Sequence, residues 1–238
     1  MDKPINTSFR NRGENMTRIE TFVAAAFAFA VTMMMISLGE ISTDMKIFIE
    51  DMKQVPAFAA SCAIIIWIWH THATWCRRFG LEDGKTIFLS SALIIIVLVY
   101  VYPLRIMMQG LFQVLSDGYF PLEFSYQTNW ELRFVFINYA IGFLLLCLNF
   151  VGLYWHAYSK RELLKLNQYE SFDTRTELLV WSIAAGVCVG SSLIALFGPL
   201  SYIAFSGHIF FSLFPLLIGC GQIRKHARQK LVIQNTVP

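Results

Sequence analysis

Charged residues are scarce in this chain of 238 residues. Only 15% of the residues are Asp, Glu, Lys or Arg, whereas 56% are hydrophobic. Because a soluble domain averages about 25% charged residues, this chain has too few polar side chains to cover its surface in water. The net charge is only +3, and the basic residues cluster at the ends of apolar runs, so we expect no nucleic-acid partner. The composition predicts a membrane protein.

Signatures of catalysis and metal binding are also missing. The sequence contains no GxSxG, HExxH or P-loop motif, and its five cysteines show no CxxC spacing. Because these cysteines lie in or beside apolar runs, we interpret them as free thiols packed in helices. We therefore predict that the chain is not an enzyme and that it carries no resident cofactor and no structural metal.

Long apolar segments make up most of the chain instead. Each reaches or approaches the ~20 residues that a helix needs to cross the hydrocarbon core of a bilayer. The segments run approximately over residues 18–38, 55–79, 85–108, 130–158, 178–197 and 201–223. This pattern predicts an all-α integral membrane protein with six transmembrane helices.

The placement of lysine and arginine predicts the orientation of these helices. Most of the nineteen basic residues precede the first segment, lie between the second and third or the fourth and fifth, or follow the sixth. Cytoplasmic loops carry such an excess of Lys and Arg. We therefore predict cytoplasmic N- and C-termini. The domains are then a cytoplasmic N-terminal segment (1–17), a six-helix transmembrane domain (18–223) and a cytoplasmic C-terminal tail (224–238).

One face of the first predicted helix has the pattern of a pore wall. Phe22, Ala25, Phe29, Thr32 and Ile36 are spaced so that they share this face. Repeated around a symmetry axis, the face would form a ring of hydroxyl groups between two apolar rings. Hydroxyl oxygens can replace part of an ion's hydration shell, and apolar constrictions can gate a pore by dewetting. The same pattern also fits ordinary helix packing, with the threonine hydroxyl bonded to its own helix backbone. The periodicity leaves both interpretations open.

Scattered motifs in the first 108 residues form a recognisable set. The stretch RIETFVAAAFAFAVT places Arg18 four residues before Phe22, and Thr32 ten residues after it. The second segment ends with Trp69 and His72 at a spacing of three. A charged turn and the third segment then supply Asp83, Ser90 and Pro103.

This set resembles the signature of the transmembrane protein 175 family of potassium channels, in its bacterial single-repeat form. The resemblance implies a homotetramer in a bacterial plasma (inner) membrane, with the first helix on the oligomer axis. It further implies that monovalent cations, K⁺ in particular, pass along this axis. Thr32 would then lie near the level that determines selectivity, and Phe29 and Ile36 would form a hydrophobic gate. The partners implied are other copies of the chain, the lipid bilayer and the permeating cations.

The sequence also departs from the family signature. The Ser-Asp pair that follows the signature phenylalanine is Val23-Ala24 here, and Ser90 stands where the family has an asparagine. In the family these polar groups resemble a buried hydrogen-bonded network with the tryptophan and histidine. Since a half-satisfied polar network is unfavourable, their joint replacement predicts loss of that network. It also favours an alternative function, a non-conducting family member that acts as a membrane effector or partner anchor.

A second alternative concerns the histidines. His70, His156 and His208 lie in or near predicted spans, where ionisable residues are candidates for function. Two axial histidines could hold a haem, as in membrane redox proteins. No pair among them is clearly level and facing, so histidines that bond to neighbouring helices or lie at the interface are the simpler interpretation.

Overall fold

The computed structural model describes residues 9–36, 44–199 and 203–236, and helices account for most of them. The helices are α1 (Arg18–Ile36), α2 (Met45–Met52), α3 (Val55–Phe79), α4 (Gly84–Leu115), α5 (Asn129–Ser159), α6 (Gln168–Phe197), α7 (Ile203–His208) and α8 (Leu213–Thr236), with a 3-10 helix (Ile209–Ser212) between the last two. This architecture confirms the predicted all-α class.

Five helical stretches are long and apolar enough to cross a membrane. They are α1, the α2–α3 stretch Met45–Phe79, α4, α5 and α6. The predicted second segment coincides with α3, whereas α4 and α6 are longer than the apolar runs that predicted them. The sixth predicted segment is divided among α7, the 3-10 helix and α8, and α8 continues to Thr236. The chain is therefore a multi-pass membrane protein. The sixth span and the cytoplasmic termini remain predictions.

Local capping residues explain where several helices begin and end. Asp83, Thr128 and Asn167 each accept a backbone hydrogen bond from the first turn of α4, α5 and α6, respectively. Such acceptors satisfy N–H groups that have no partner inside the helix. Helix α3 ends at Phe79 and is capped by Gly80, whose φ of 58° lies in the left-handed region that favours glycine.

Packing of the helices leaves α1 at one side of the subunit. Helix α5 packs along α4 and α6, while α1 packs against α3 and α4. Val23, Phe27, Ala30 and Met34 form the buried face of α1 within this core. The alanine at position 30 is fully buried, and a small side chain there lets neighbouring helices approach closely. The opposite face of α1 is consequently free to meet something outside the subunit.

Candidate functional site

The predicted stripe on α1 lies on the outside of the subunit. Phe22, Phe29 and Ile36 are 63%, 55% and 70% exposed, and Ala25 and Thr32 are exposed as well. The structure therefore brings all five residues to one surface and places none of them inside the subunit's own core. In a membrane, lipid or another copy of the chain can cover so apolar a surface. Pore lining by these residues remains a prediction.

The hydroxyl group of Thr32 is oriented by its own helix. Its Oγ1 donates a hydrogen bond of 3.0 Å to the carbonyl oxygen of Ala28. A threonine hydroxyl has one proton to donate and two lone pairs to accept with. Because the proton is directed into the helix backbone, the lone pairs of the exposed oxygen remain available outside it. The bond to the helix backbone is therefore compatible with a role in coordinating a cation.

Two residues of the predicted motif meet inside the bundle. Nε2 of His72 lies 3.0 Å from Oγ of Ser90, and both side chains are buried. Sγ of Cys76 lies 3.8 Å from Nδ1 of the same histidine. The replacement of two polar family residues predicted loss of the whole network, but the structure retains this one link between α3 and α4.

Two further motif residues, Arg18 and Trp69, do not join this pair. Arg18 is exposed at the start of α1, and among the described residues it forms no polar contact with His72 or Trp69. Trp69 is partly buried and belongs to the wall of an open apolar groove of about 250 Å³ between α1 and α3. The groove is lined by Ala24, Phe27, Ala28, Val31, Ile65, Ile66 and Trp69. It lies directly beside the exposed stripe, because Ala24 and Ala28 leave space there.

Trp75 was not among the residues predicted from sequence, and it lies one turn beyond His72 on α3. Its side chain is fully buried and stacks on the His72 ring, with ring centroids 6.5 Å apart. Its Nε1 has no hydrogen-bond partner among the described residues. The spacing of three places Trp75 on the same helix face as His72, and this was the signal in the sequence that could have revealed it.

Asp83 joins the N-terminal end of α4 to the C-terminal end of α5. Its carboxylate lies 2.8 Å from Nε2 of His156 and also pairs with Lys160. Burial raises the pKa of Asp83, but hydrogen bonds from Lys160, Thr86 and His156 outweigh it and hold the pKa well below its usual range. Asp83 is therefore charged at neutral pH. The motif identified Asp83, whereas its partners His156, in α5, and Lys160, directly after α5, could not be paired with it from sequence.

The histidines considered for haem have separate surroundings. His70 is exposed on α3, His156 is bonded to Asp83, and the backbone of His208 lies in α7. Within the part of the chain that the structure describes, no three His, Cys, Asp or Glu side chains gather as a metal site would require. Among the side chains that the structure describes, His70 and His156 have different surroundings and do not form an axial pair.

Known proteins resemble this chain over nearly its whole length. No protein-family model matches it. A protein of Marivirga tractuosa described as "Potassium channel" is 32% identical over 236 residues, which cover 96% of this chain and 95% of that protein. The crystal structure of a threonine-to-alanine variant of the potassium channel MtTMEM175, in complex with a nanobody–MBP fusion, is similar with a TM-score of 0.80 and 31% identity. That match covers 94% of this chain and 100% of the other.

Proposed function

Because the chain belongs to the transmembrane protein 175 family of potassium channels, we propose that it passes monovalent cations, K⁺ in particular, along a pore lined by α1 of each subunit. The pore requires several copies of the chain, and we propose a homotetramer. The chain would cross the inner membrane of a bacterium six times, with both termini in the cytoplasm. Membership of this channel family also means that the protein is not an enzyme.

One observation carries the proposal. The five residues that periodicity assigned to a pore wall form a single exposed stripe, whereas the opposite face of α1 is buried in its own subunit. Around a shared axis, the Thr32 oxygens would present lone pairs toward the centre, which favours cations over anions. Phe29 lies one helical turn before Thr32 and Ile36 one turn after it. Both would form apolar constrictions that lose their water when they are narrow.

The proposal predicts distinct effects for the two kinds of pore residue. Phe29→Ala should raise K⁺ leak from proteoliposomes several-fold, since a large apolar constriction is removed. Thr32→Ala should lower the preference for K⁺ over Na⁺, since an oxygen ligand is lost. Flux of K⁺ and of Na⁺ from the same vesicles measures both effects.

Matched control variants come from other helices. Phe88 is 71% exposed on α4, and Thr71 on α3 bonds to its own helix as Thr32 does, with a distance of 2.9 Å. Phe88→Ala and Thr71→Ala should leave leak and selectivity unchanged. Unaltered flux in both α1 variants would contradict the proposal.

A non-conducting role is the second candidate, and one observation favours it. Val23, which occupies the position of the family's serine, is only 1% exposed and packs in the apolar core. The polar group that the family has there is thus replaced by ordinary hydrophobic packing. Absence of flux from the parent and from both α1 variants would favour this membrane-effector role.

A further inference from the structure

The chain segment before α1 is attached to the inner ends of two other helices. The backbone N–H groups of Arg12 and Gly13 each donate a 3.0 Å hydrogen bond to the carbonyl oxygen of Arg77, near the end of α3. The Phe9 ring packs edge-on against Phe79, with centroids 5.5 Å apart. These contacts bind the segment along the last turn of α3.

Two glycines allow the backbones to cross at this point. A Cβ atom on Gly13 would lie 2.6 Å from the carbonyl oxygen of Cys76, and a Cβ atom on Gly80 would lie 2.9 Å from the backbone of Arg12. Gly80 also has a positive φ of 58°. Any side chain at either position would push the segment away from α3, so the contact depends on both glycines.

A buried ion pair fixes the segment to α6. Nη2 and Nη1 of Arg12 donate to the two carboxylate oxygens of Glu170 at 2.7 and 3.1 Å, and the backbone N–H of Arg10 donates to the same group at 2.8 Å. Nε of Arg12 donates to the carbonyl oxygen of Leu164 at 2.8 Å. The two side chains are only 14% and 3% exposed. Such a two-pronged arginine–carboxylate contact fixes geometry as well as distance.

We propose that residues 9–13 form an inner clamp that positions the inner end of α1, with Arg12 and Glu170 as its positioning residues. Only residues 14–17 separate the clamp from Arg18, and a connection of this length extends at most roughly 18 Å. Helix α1 otherwise contacts its subunit through one buried face. Its inner end therefore stays near α3 and α6 while the clamp is closed, and it gains freedom when the clamp opens.

The effect of the clamp on ion flux rests on the proposed function, but its effect on α1 does not. If α1 lines the pore, opening the clamp changes how often the passage is open and leaves the Thr32 ring chemically intact. K⁺ flux then changes while the preference for K⁺ over Na⁺ stays constant. The position and local stability of α1 can be measured whether or not the protein conducts.

Glu170→Gln opens the clamp with little harm to α6. The glutamine oxygen can still accept the capping hydrogen bond that the backbone N–H of Asn167 donates to Glu170 at 3.0 Å. The glutamine NH2 group then takes the place of Oε1, where it cannot accept from the backbone of Arg10 or from Nη1 of Arg12, so only the neutral contact with Nη2 of Arg12 can remain. A matched control is Glu162→Gln, since Glu162 is 90% exposed and pairs only loosely with Arg161 at 3.6 Å. Arg12→Lys keeps the positive charge but loses the planar guanidinium group that contacts both carboxylate oxygens of Glu170 at once.

Hydrogen-exchange mass spectrometry of the full chain in lipid nanodiscs tests the proposal. In Glu170→Gln, amides of residues 12–22 should exchange at least about tenfold faster, whereas amides of α5 keep their rates, as local opening requires. Arg12→Lys should give a smaller acceleration in the same residues, and Glu162→Gln should give none.

Two results would overturn the clamp. One is unchanged exchange of residues 12–22 in Glu170→Gln, and the other is equal acceleration throughout all helices, which would indicate a general loss of stability. K⁺ flux from the same preparations separates the two proposals. If the parent does not conduct, the proposed function fails, and the exchange pattern alone still decides whether the clamp exists.

Discussion

Two hydroxyl residues in apolar helices have different surroundings. Thr32 is exposed, and its hydroxyl group donates a hydrogen bond to the backbone of its own helix. Its role therefore depends on what lies outside the subunit. Ser90 is fully buried and faces Nε2 of His72, so its role is internal. Thr32 was a candidate from helical spacing, and Ser90 was a candidate from its place in the family signature. Neither signal shows whether the hydroxyl group faces a neighbouring helix or the outside of the subunit.

Removing the Ser90 hydroxyl should destabilise the bundle. Ser90→Ala leaves a buried nitrogen of His72 without its partner, and an unsatisfied buried polar group costs about 1–3 kcal/mol. Thermal and denaturant unfolding in detergent measures this loss. The control is Ser182→Ala, since Ser182 is exposed on α6 and bonds only to its own helix. An equal effect of the two substitutions would show that the His72–Ser90 link contributes nothing.

At the level of helices, α4 and α5 meet at a glycine. A Cβ atom on Gly142 would lie 2.5 Å from Cδ2 of Tyr100, which is 1% exposed. The Tyr100 ring lies against the rings of Tyr139 and Phe143 and has little room to move. The absence of a side chain at position 142 therefore sets how closely α5 approaches α4.

A methyl group at this contact should separate the two helices. Gly142→Ala should lower the free energy of unfolding by about 1–3 kcal/mol, as overpacking of a filled core does. Gly186→Ala on α6 is the matched control, because no neighbouring heavy atom lies within 4 Å of its added Cβ. Unfolding of both variants in the same detergent gives the comparison. Equal stability of Gly142→Ala and the parent would mean that the helices adjust freely.

Hydropathy predicted the middle of each spanning helix better than its ends. The first ten residues of α6, 168–177, contain four charged residues, so the apolar run begins well after the helix does. The helix starts at its capping box, in which Asn167 and Glu170 bond to each other's backbone. The sixth segment was predicted as one helix, but a 3-10 turn at Ile209–Ser212 divides it. Capping and helix breaks depend on local bonding that average hydropathy does not record.

Helical periodicity predicted one part of the candidate site and could not predict the other. The stripe on α1 follows from helical spacing alone, and the structure keeps its members on one surface. The partners of Arg12 and Asp83 lie 158 and 73 residues away in the chain. No local pattern relates residues so far apart. The inner clamp and the cluster around Asp83 therefore became visible only in the folded subunit.

At the scale of the whole molecule, one face of the apolar helix α1 is left uncovered. Helix α1 buries one face in its own subunit and exposes Phe22, Phe29 and Ile36 on the other. The apolar groove beside the stripe is open as well. In the proposed channel, several copies of α1 surround one axis and cover these surfaces, so that position 32 of each copy borders a common passage.

Block of K⁺ flux by Cd²⁺ in Thr32→Cys tests this arrangement most directly. Thiolates are soft ligands that hold such a metal tightly only when several converge. The native cysteines are buried or half-buried, so the parent serves as one control and Val31→Cys, on an adjacent face of α1, as another. The account predicts block at low Cd²⁺ concentration in Thr32→Cys alone. Flux that persists in this variant at high Cd²⁺, or equal block in Val31→Cys, would contradict a shared axis at position 32.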